Sequence, residues 1–163
     1  MTATIATIAT THDDIAGVIA PPPTIPLAFL LIGGLLQRLL PAPLLPERLR
    51  YPIGGALILA GLAGGGWFAR TLRAAETPIN PERPTERVVT TGPYRFTRNP
   101  AYLSFNLIYW GVACLTNNRW PALLWPAMLK TLEVGVVERE ERYLAAKFGD
   151  EYRAYLGRVR RWL

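Results

Sequence analysis

Four apolar blocks punctuate the chain: Thr24 to Leu40, Pro52 to Ala69, Ala101 to Thr116 and Trp120 to Val137, each bounded by Pro, Arg or Asn. One helix needs about 20 apolar residues to cross hydrocarbon, with a range of about 17 to 25. The pattern therefore predicts an all-α integral membrane protein with about four transmembrane helices. The third block is short on that scale, so the last two also admit a shallow hairpin. Glycines at 33–34, 54–55, 61 and 64–66 read as close helix contacts. Between the second and third blocks, Pro78, Pro81, Pro84 and Pro93 interrupt regular structure among charges of both signs. Pro100 suits the first turn of a helix and Asn99 stands before it as an N-cap. The turn Asn117-Asn118-Arg119-Trp120-Pro121 follows, and Trp120 and Trp125 suit an interfacial belt. Lys130 and Glu133 sit inside the fourth block at i, i+3, where they can pair or meet a substrate. Beyond about Glu138 a charged cytoplasmic helical extension runs to Gly149, a suitable C-cap. Tyr152, Tyr155, Val159 and Trp162 then form an apolar stripe that fits a segment lying in the membrane interface.

Charge fixes an orientation for this arrangement. The chain has 163 residues, 50% of them hydrophobic, and a net charge of +6, so basic and apolar residues must be segregated. With four crossings, one side holds the loop arginines at 70, 73, 83, 87, 95 and 98 and the basic residues after Val137. The other side holds only Arg38, Arg48, Arg50 and Arg119. Basic residues favour the cytoplasm, which puts both termini of this multi-pass protein there; in a bacterial cell the membrane would be the plasma or inner membrane. Residues 1–23 have no Lys or Arg, against a cleaved signal peptide, and Pro21-Pro22-Pro23 reads as the stiff end of a mobile leader. Residues 24–163 then form a single domain. Anionic membrane lipids account for the arginines, leaving no call for nucleic acid. Cys114 is the only cysteine and His12 the only histidine, so no metal site is expected and a His-centred triad is excluded. No Gly-x-Gly-x-x-Gly follows a strand pattern.

Two polar stretches sit where apolar segments meet water. One is Gly92-Pro93-Tyr94-Arg95-Phe96-Thr97-Arg98-Asn99-Pro100-Ala101-Tyr102; the other is Glu138-Arg139-Glu140-Glu141-Arg142-Tyr143 running into Phe148-Gly149-Asp150-Glu151-Tyr152. In order and spacing they resemble the isoprenylcysteine carboxyl methyltransferase family of membrane enzymes, relatives of phospholipid N-methyltransferases. The resemblance implies S-adenosylmethionine as cofactor, held between about 86–102 and 138–155. It places cofactor contacts on Glu86, Arg87, Val88, Val89, Tyr94, Asn99, Pro100, Ala101, Tyr102, Glu140 and Glu141. Glu140 would bind the cofactor's amino group by a charge-assisted hydrogen bond. Asn99, Arg139 and Glu141 are the catalytic candidates, with Glu141 either supporting Glu140 or facing another way.

This chain departs from the family at two positions. Asn99 stands where these enzymes typically have His; it keeps a donor and an acceptor but does not titrate near neutrality. Val136 stands where a carboxylate-binding Arg is expected, so a farnesylcysteine analogue should turn over slowly or not at all. Arg139, one turn on, is the candidate replacement. The implied reaction is methyl transfer to a lipophilic small-molecule or lipid acceptor, a carboxylate or thiol, at the membrane interface. Phospholipid N-methylation, or a non-catalytic protein of the same fold, are the alternatives; oligomeric state stays open. The orientation is testable by cysteine labelling: the 70–98 loop and the C-terminal segment are expected on the cytoplasmic side together. Labels on opposite sides would show that the last two apolar blocks form a hairpin or that the spans are miscounted.

Overall fold

The computed structural model describes residues 16 to 79 and 84 to 163. His12, Pro81, Arg83 and most of the expected leader lie outside the described residues. The described chain is all-helical: α1 (Thr24–Leu39), α2 (Glu47–Ala74), a 3-10 turn (Gly92–Arg95), α3 (Pro100–Leu115), α4 (Arg119–Leu132), a π-helical turn (Glu133–Val137) and α5 (Glu138–Leu156). At 28 residues α2 is about 42 Å long, and it is the one described helix long and apolar enough to cross a membrane. α1 and α3 are apolar helices of 16 residues, and α4 has 14.

The sequence glycines explain how the helices meet. A β-carbon at Gly54 would lie 3.0 Å from the carbonyl oxygen of Gly111, and one at Gly111 would lie 3.0 Å from that of Gly54. Gly61 lies equally close to the Ser104 carbonyl, at 2.9 Å. The backbones of α2 and α3 therefore touch over several turns. Gly33 provides the same clearance for Pro121, joining α1 to α4. Gly34, Gly55 and Gly66 have open space, so only one side of each glycine run makes contact.

Asparagine side chains fasten the two short turns together. Asn117 Oδ1 accepts from the Leu44 and Leu45 amides at 2.9 and 2.8 Å, and Asn118 Nδ2 donates to the Gly33 carbonyl at 3.0 Å. Trp120 Nε1 donates to the Leu40 carbonyl at 2.8 Å. The α1–α2 and α3–α4 turns thus occupy one end, and α5 and the 84–99 segment meet at the other. Ala16 to Pro23, the end of the expected leader, also lies there. The Ile19 amide donates to the Gly135 carbonyl at 3.2 Å, and the Ile19 side chain covers Gly135.

Two local expectations need correction. Asn99 occupies the N-cap position of α3 but makes no side-chain cap bond, because its amide group is used elsewhere. The stripe after Gly149 is not interfacial: Tyr152 and Tyr155 are each 3% exposed, and Trp162 packs against the core. Gly149, with φ +52°, does end one helical run, and a second begins directly after it. Lys130 and Glu133 pair at 3.6 Å.

Substituting Gly54 with Leu should lower stability by about 1 to 3 kcal/mol through overpacking. Gly55→Ala, facing open space, should raise it by up to about 1 kcal/mol through helix propensity. Thermal unfolding in detergent reads both, and equal effects at the two positions would refute the close α2–α3 approach.

Candidate functional site

The 3-10 turn begins at Gly92, whose φ of +58° and contact with Thr71 Oγ1 leave no room for a side chain. Pro93 is buried, and the turn delivers Tyr94 to the interior, where its ring lies 6.1 Å from Phe68 of α2. The chain then passes through Thr97, whose hydroxyl oxygen accepts from the Asn99 amide at 3.1 Å. Pro100 starts α3 and places Tyr102 one turn in, on the buried side.

α5 supplies the opposing wall. Before it, the π turn buries Gly135, Val136 and Val137 against the core. A π turn carries one more residue than an α turn and rotates everything after it relative to the preceding helix. Glu140 and Glu141 emerge on different sides. Tyr102 Oη donates to Glu140 Oε1 at 2.7 Å, while Glu141 turns away to Arg98 at 3.2 Å and Arg161 at 2.6 Å.

Between these walls lies a cavity of about 580 Å³, within the range of small-molecule sites. Arg87, Val88, Val89, Tyr94, Asn99, Pro100, Ala101, Tyr102 and Glu140 line it, so nine of the residues singled out in sequence come together. Glu86, Arg139 and Glu141 do not line it. Glu86 is on the exposed side of its extended segment. Arg139 Nη1 is taken by the Gly17 carbonyl at 3.0 Å, tying α5 to the chain before α1, and Glu141 is engaged by two arginines. Asn99 lines the cavity while its Nδ2 donates to the Arg161 carbonyl at 3.0 Å. Val136, at the position of the expected carboxylate-binding Arg, is fully buried.

Arg98, Tyr143, Tyr152 and Tyr155 fall within the ranges expected for the site but had no individual role there, and Phe68 and Phe105 lie outside those ranges; all six line the cavity. Arg98 had a usable signal, its place directly before Asn99-Pro100. The aromatic residues come from α2, α3 and both ends of α5, and no single local pattern links them all. Arg98 is 15% exposed in its side chain, and its Nε is buried with no hydrogen-bond partner among the described residues. The Tyr155 hydroxyl donates to the Tyr94 carbonyl at 2.8 Å and the Thr85 amide donates to Tyr143 Oη at 3.2 Å, closing the 84–99 segment onto α5.

Burial pushes Glu140 up to about 7; the Tyr102 hydroxyl opposes this and the Glu141 charge adds to it. Burial likewise raises Tyr94 and Tyr152, so both stay neutral hydroxyls, and it pushes Tyr155 up to about 12. The site thus combines a desolvated acceptor at Glu140, a cation at Arg98 and several aromatic faces. It suits a small zwitterion or cation with an apolar body, because Glu140 keeps acceptor capacity beyond its one bond from Tyr102.

The family model described as phospholipid methyltransferase matches residues 49–151, a span that takes in both walls of the cavity. A stretch of 27 residues is 67% identical to an uncharacterized protein of Haemophilus influenzae, covering 17% of this chain and 43% of that protein. A stretch of 66 residues is 38% identical to methanethiol S-methyltransferase 1 of Bradyrhizobium diazoefficiens, covering 40% of this chain and 22% of that enzyme. The chain therefore spans less than half the length of the curated relatives it matches. No solved structure matches it. Of the residues that line the cavity, those from Phe68 to Leu144 lie inside the matched span, which covers more than half of the sequence, and the chain belongs to the phospholipid methyltransferase family.

Proposed function

We propose that this protein is a membrane methyltransferase that takes a methyl group from S-adenosylmethionine and passes it to a lipophilic acceptor, a thiol foremost. The observation that carries the reading is the Glu140 carboxylate, held by Tyr102 in a cavity walled mostly by aromatic and apolar groups. Glu140 would hold the cofactor's ammonium and Arg98, through its unpartnered Nε, its carboxylate. Tyr94 and Tyr152 offer ring faces to the cationic sulfur and the base. The backbone of Arg87 to Val89 would bind the nucleoside.

When bound, the cofactor would supply a methyl group already activated on a positively charged sulfur. The protein's own task is then to orient the two partners and exclude water. Asn99 does not titrate, Glu140 would be engaged with an ammonium, and burial keeps Tyr94, Tyr152 and Tyr155 protonated, so none of these groups is free to act as a base. That favours an acceptor that ionises unaided. A thiol of cysteine-like acidity, with a pKa of about 8.5, does so more readily than an ammonium of lysine-like acidity at about 10.4. The thiol methyltransferase of Bradyrhizobium diazoefficiens supports the same choice. A prenylcysteine carboxylate is disfavoured by Val136, which is buried and uncharged.

Membrane embedding through α1 to α4, with α5 cytoplasmic, belongs to this reading. Leu27, Leu31, Leu35 and Leu39 form an exposed i, i+4 stripe along α1, 54 to 67% exposed, and Leu59 and Leu62 continue the apolar surface on α2. Such a surface fits lipid.

Methyl-labelled cofactor, supplied with a long-chain thiol, a lipid amine or a farnesylcysteine analogue, tests the acceptor. Label on the thiol is expected, and label on the amine alone would overturn the choice. Calorimetry with S-adenosylhomocysteine tests the site: Glu140→Gln should weaken binding by about 1.5 to 3 kcal/mol, the scale of a hydrogen bond to a charged group. The pH dependence has a definite sign. Because the folded pKa of about 7 lies above the usual carboxylate value, ionising Glu140 costs stability as pH rises through that range. A ligand ammonium needs the ionised form, so affinity should rise across about pH 6 to 8, and this acid limb should vanish in Glu140→Gln.

A further inference from the structure

Arg161 does not line the cavity, yet both walls of the cavity are fastened to it. Its Nη2 and Nε donate to Glu141 at 2.6 and 3.2 Å, and its Nη1 donates to Glu133 at 2.8 Å. Its carbonyl accepts from Thr97 Oγ1 at 2.9 Å and Asn99 Nδ2 at 3.0 Å. The preceding carbonyl, of Arg160, accepts from the Arg98 amide at 3.0 Å. Two consecutive residues therefore hold the 97–99 segment by backbone and α5 by side chain. Neighbouring Trp162 packs against the core, which fixes the segment in place.

The charge arrangement adds a second effect. Glu141 adjoins Glu140 in sequence, and two neighbouring carboxylates disfavour each other's ionisation. Arg161, with Arg98, places a cation on Glu141. The groups near Glu140 are Tyr102 from α3, Tyr94 from the 3-10 turn and Tyr152 from α5, while Glu141, turned away, acts on it through its charge. Arg87 and Arg98 line the same cavity from the 84–99 segment, and Tyr143 from α5. Glu133 and Lys130 lie beyond Arg161 and pair with each other.

We propose that Arg161 is a positioning residue of the cavity, clamping the segment that carries Arg98 and Asn99 to the helix that carries Glu140, and shielding Glu140 from the charge of Glu141. This rests on the reading of Glu140 as an anion for a cationic ligand. The clamp itself is independent of that reading and can be measured apart from it.

The test uses the full chain in lipid nanodiscs, with S-adenosylhomocysteine binding followed across pH and amide hydrogen exchange followed residue by residue. Arg161→Gln should lower affinity at neutral pH by about tenfold or more, since charge-assisted bonds are lost. It should move the acid-side midpoint upward, because Glu141 keeps less of its neutralising charge. Exchange at the Arg98 amide should quicken while α2 and α3 stay protected. Removing the second carboxylate as well, in Arg161→Gln with Glu141→Gln, should return the midpoint to or below that of the unaltered protein. Affinity should stay low, a separation that a merely structural loss would not produce. Arg158→Gln, whose Nε meets only the local Ala154 carbonyl, should change nothing. If Arg161→Gln fails to fold, Arg161→Lys keeps the charge and should preserve the midpoint while speeding exchange at Arg98. An unmoved midpoint and unchanged Arg98 exchange in a folded Arg161→Gln would overturn the proposal. Should the unaltered protein bind no S-adenosylhomocysteine while Arg98 exchange still quickens in the variant, the clamp stands and the cofactor reading falls.

Discussion

Adjacent carboxylates at Glu140 and Glu141 set the terms for the end of the molecule that holds the cavity. Neither can be left unpaired in a half-buried place, and consecutive helix positions point in different directions. Tyr102 reaches one from α3, while Arg98 and Arg161 reach the other from two separate segments. The one satisfied by a neutral hydroxyl keeps a high proton affinity; the one satisfied by two guanidinia becomes a structural anchor. A difference of one residue in sequence thus separates a group open to a ligand from a group committed to the fold.

The rest of the architecture serves to bring those partners within reach. Backbone contact between α2 and α3 through Gly54, Gly61 and Gly111 sets the depth of α3, and so the height at which Pro100 and Tyr102 enter. The π turn sets the rotation of α5. It buries Val136 and Val137 and is covered by Ile19, which lets the chain before α1 close over it. Arg139 then holds that strand of chain through the Gly17 carbonyl, a use of its charge that has nothing to do with the cavity.

Much of this was legible from local signals. Apolar blocks gave the helices to within a few residues, Pro100 gave the start of α3, Lys130 and Glu133 paired as their spacing allowed, and the 92–102 and 138–152 stretches met in space. What the chain concealed was direction. A π turn has no sequence signature that separates it from α-helix, so the facing of Arg139, Glu140 and Glu141 was open. Tyr152 and Tyr155 read as an interfacial stripe because their periodicity is the same whether lipid or protein covers them; packing against Tyr94 and Arg98 decided it. Asn99 read as a cap because the competing partner, a backbone carbonyl 62 residues away, is invisible locally.

The asparagine bonds between the two short turns bear on how the protein is made. Asn117 serves amides 72 and 73 residues earlier, and Asn118 a carbonyl 85 residues earlier. At a synthesis rate of about 5 to 20 residues per second, the first hairpin waits roughly 4 to 15 seconds before its fastening exists. During that interval the Leu44 and Leu45 amides must find temporary partners, such as water. Biogenesis of this chain therefore has a vulnerable window that closes only when the second hairpin arrives, and it is there that quality-control factors would meet an unfinished molecule.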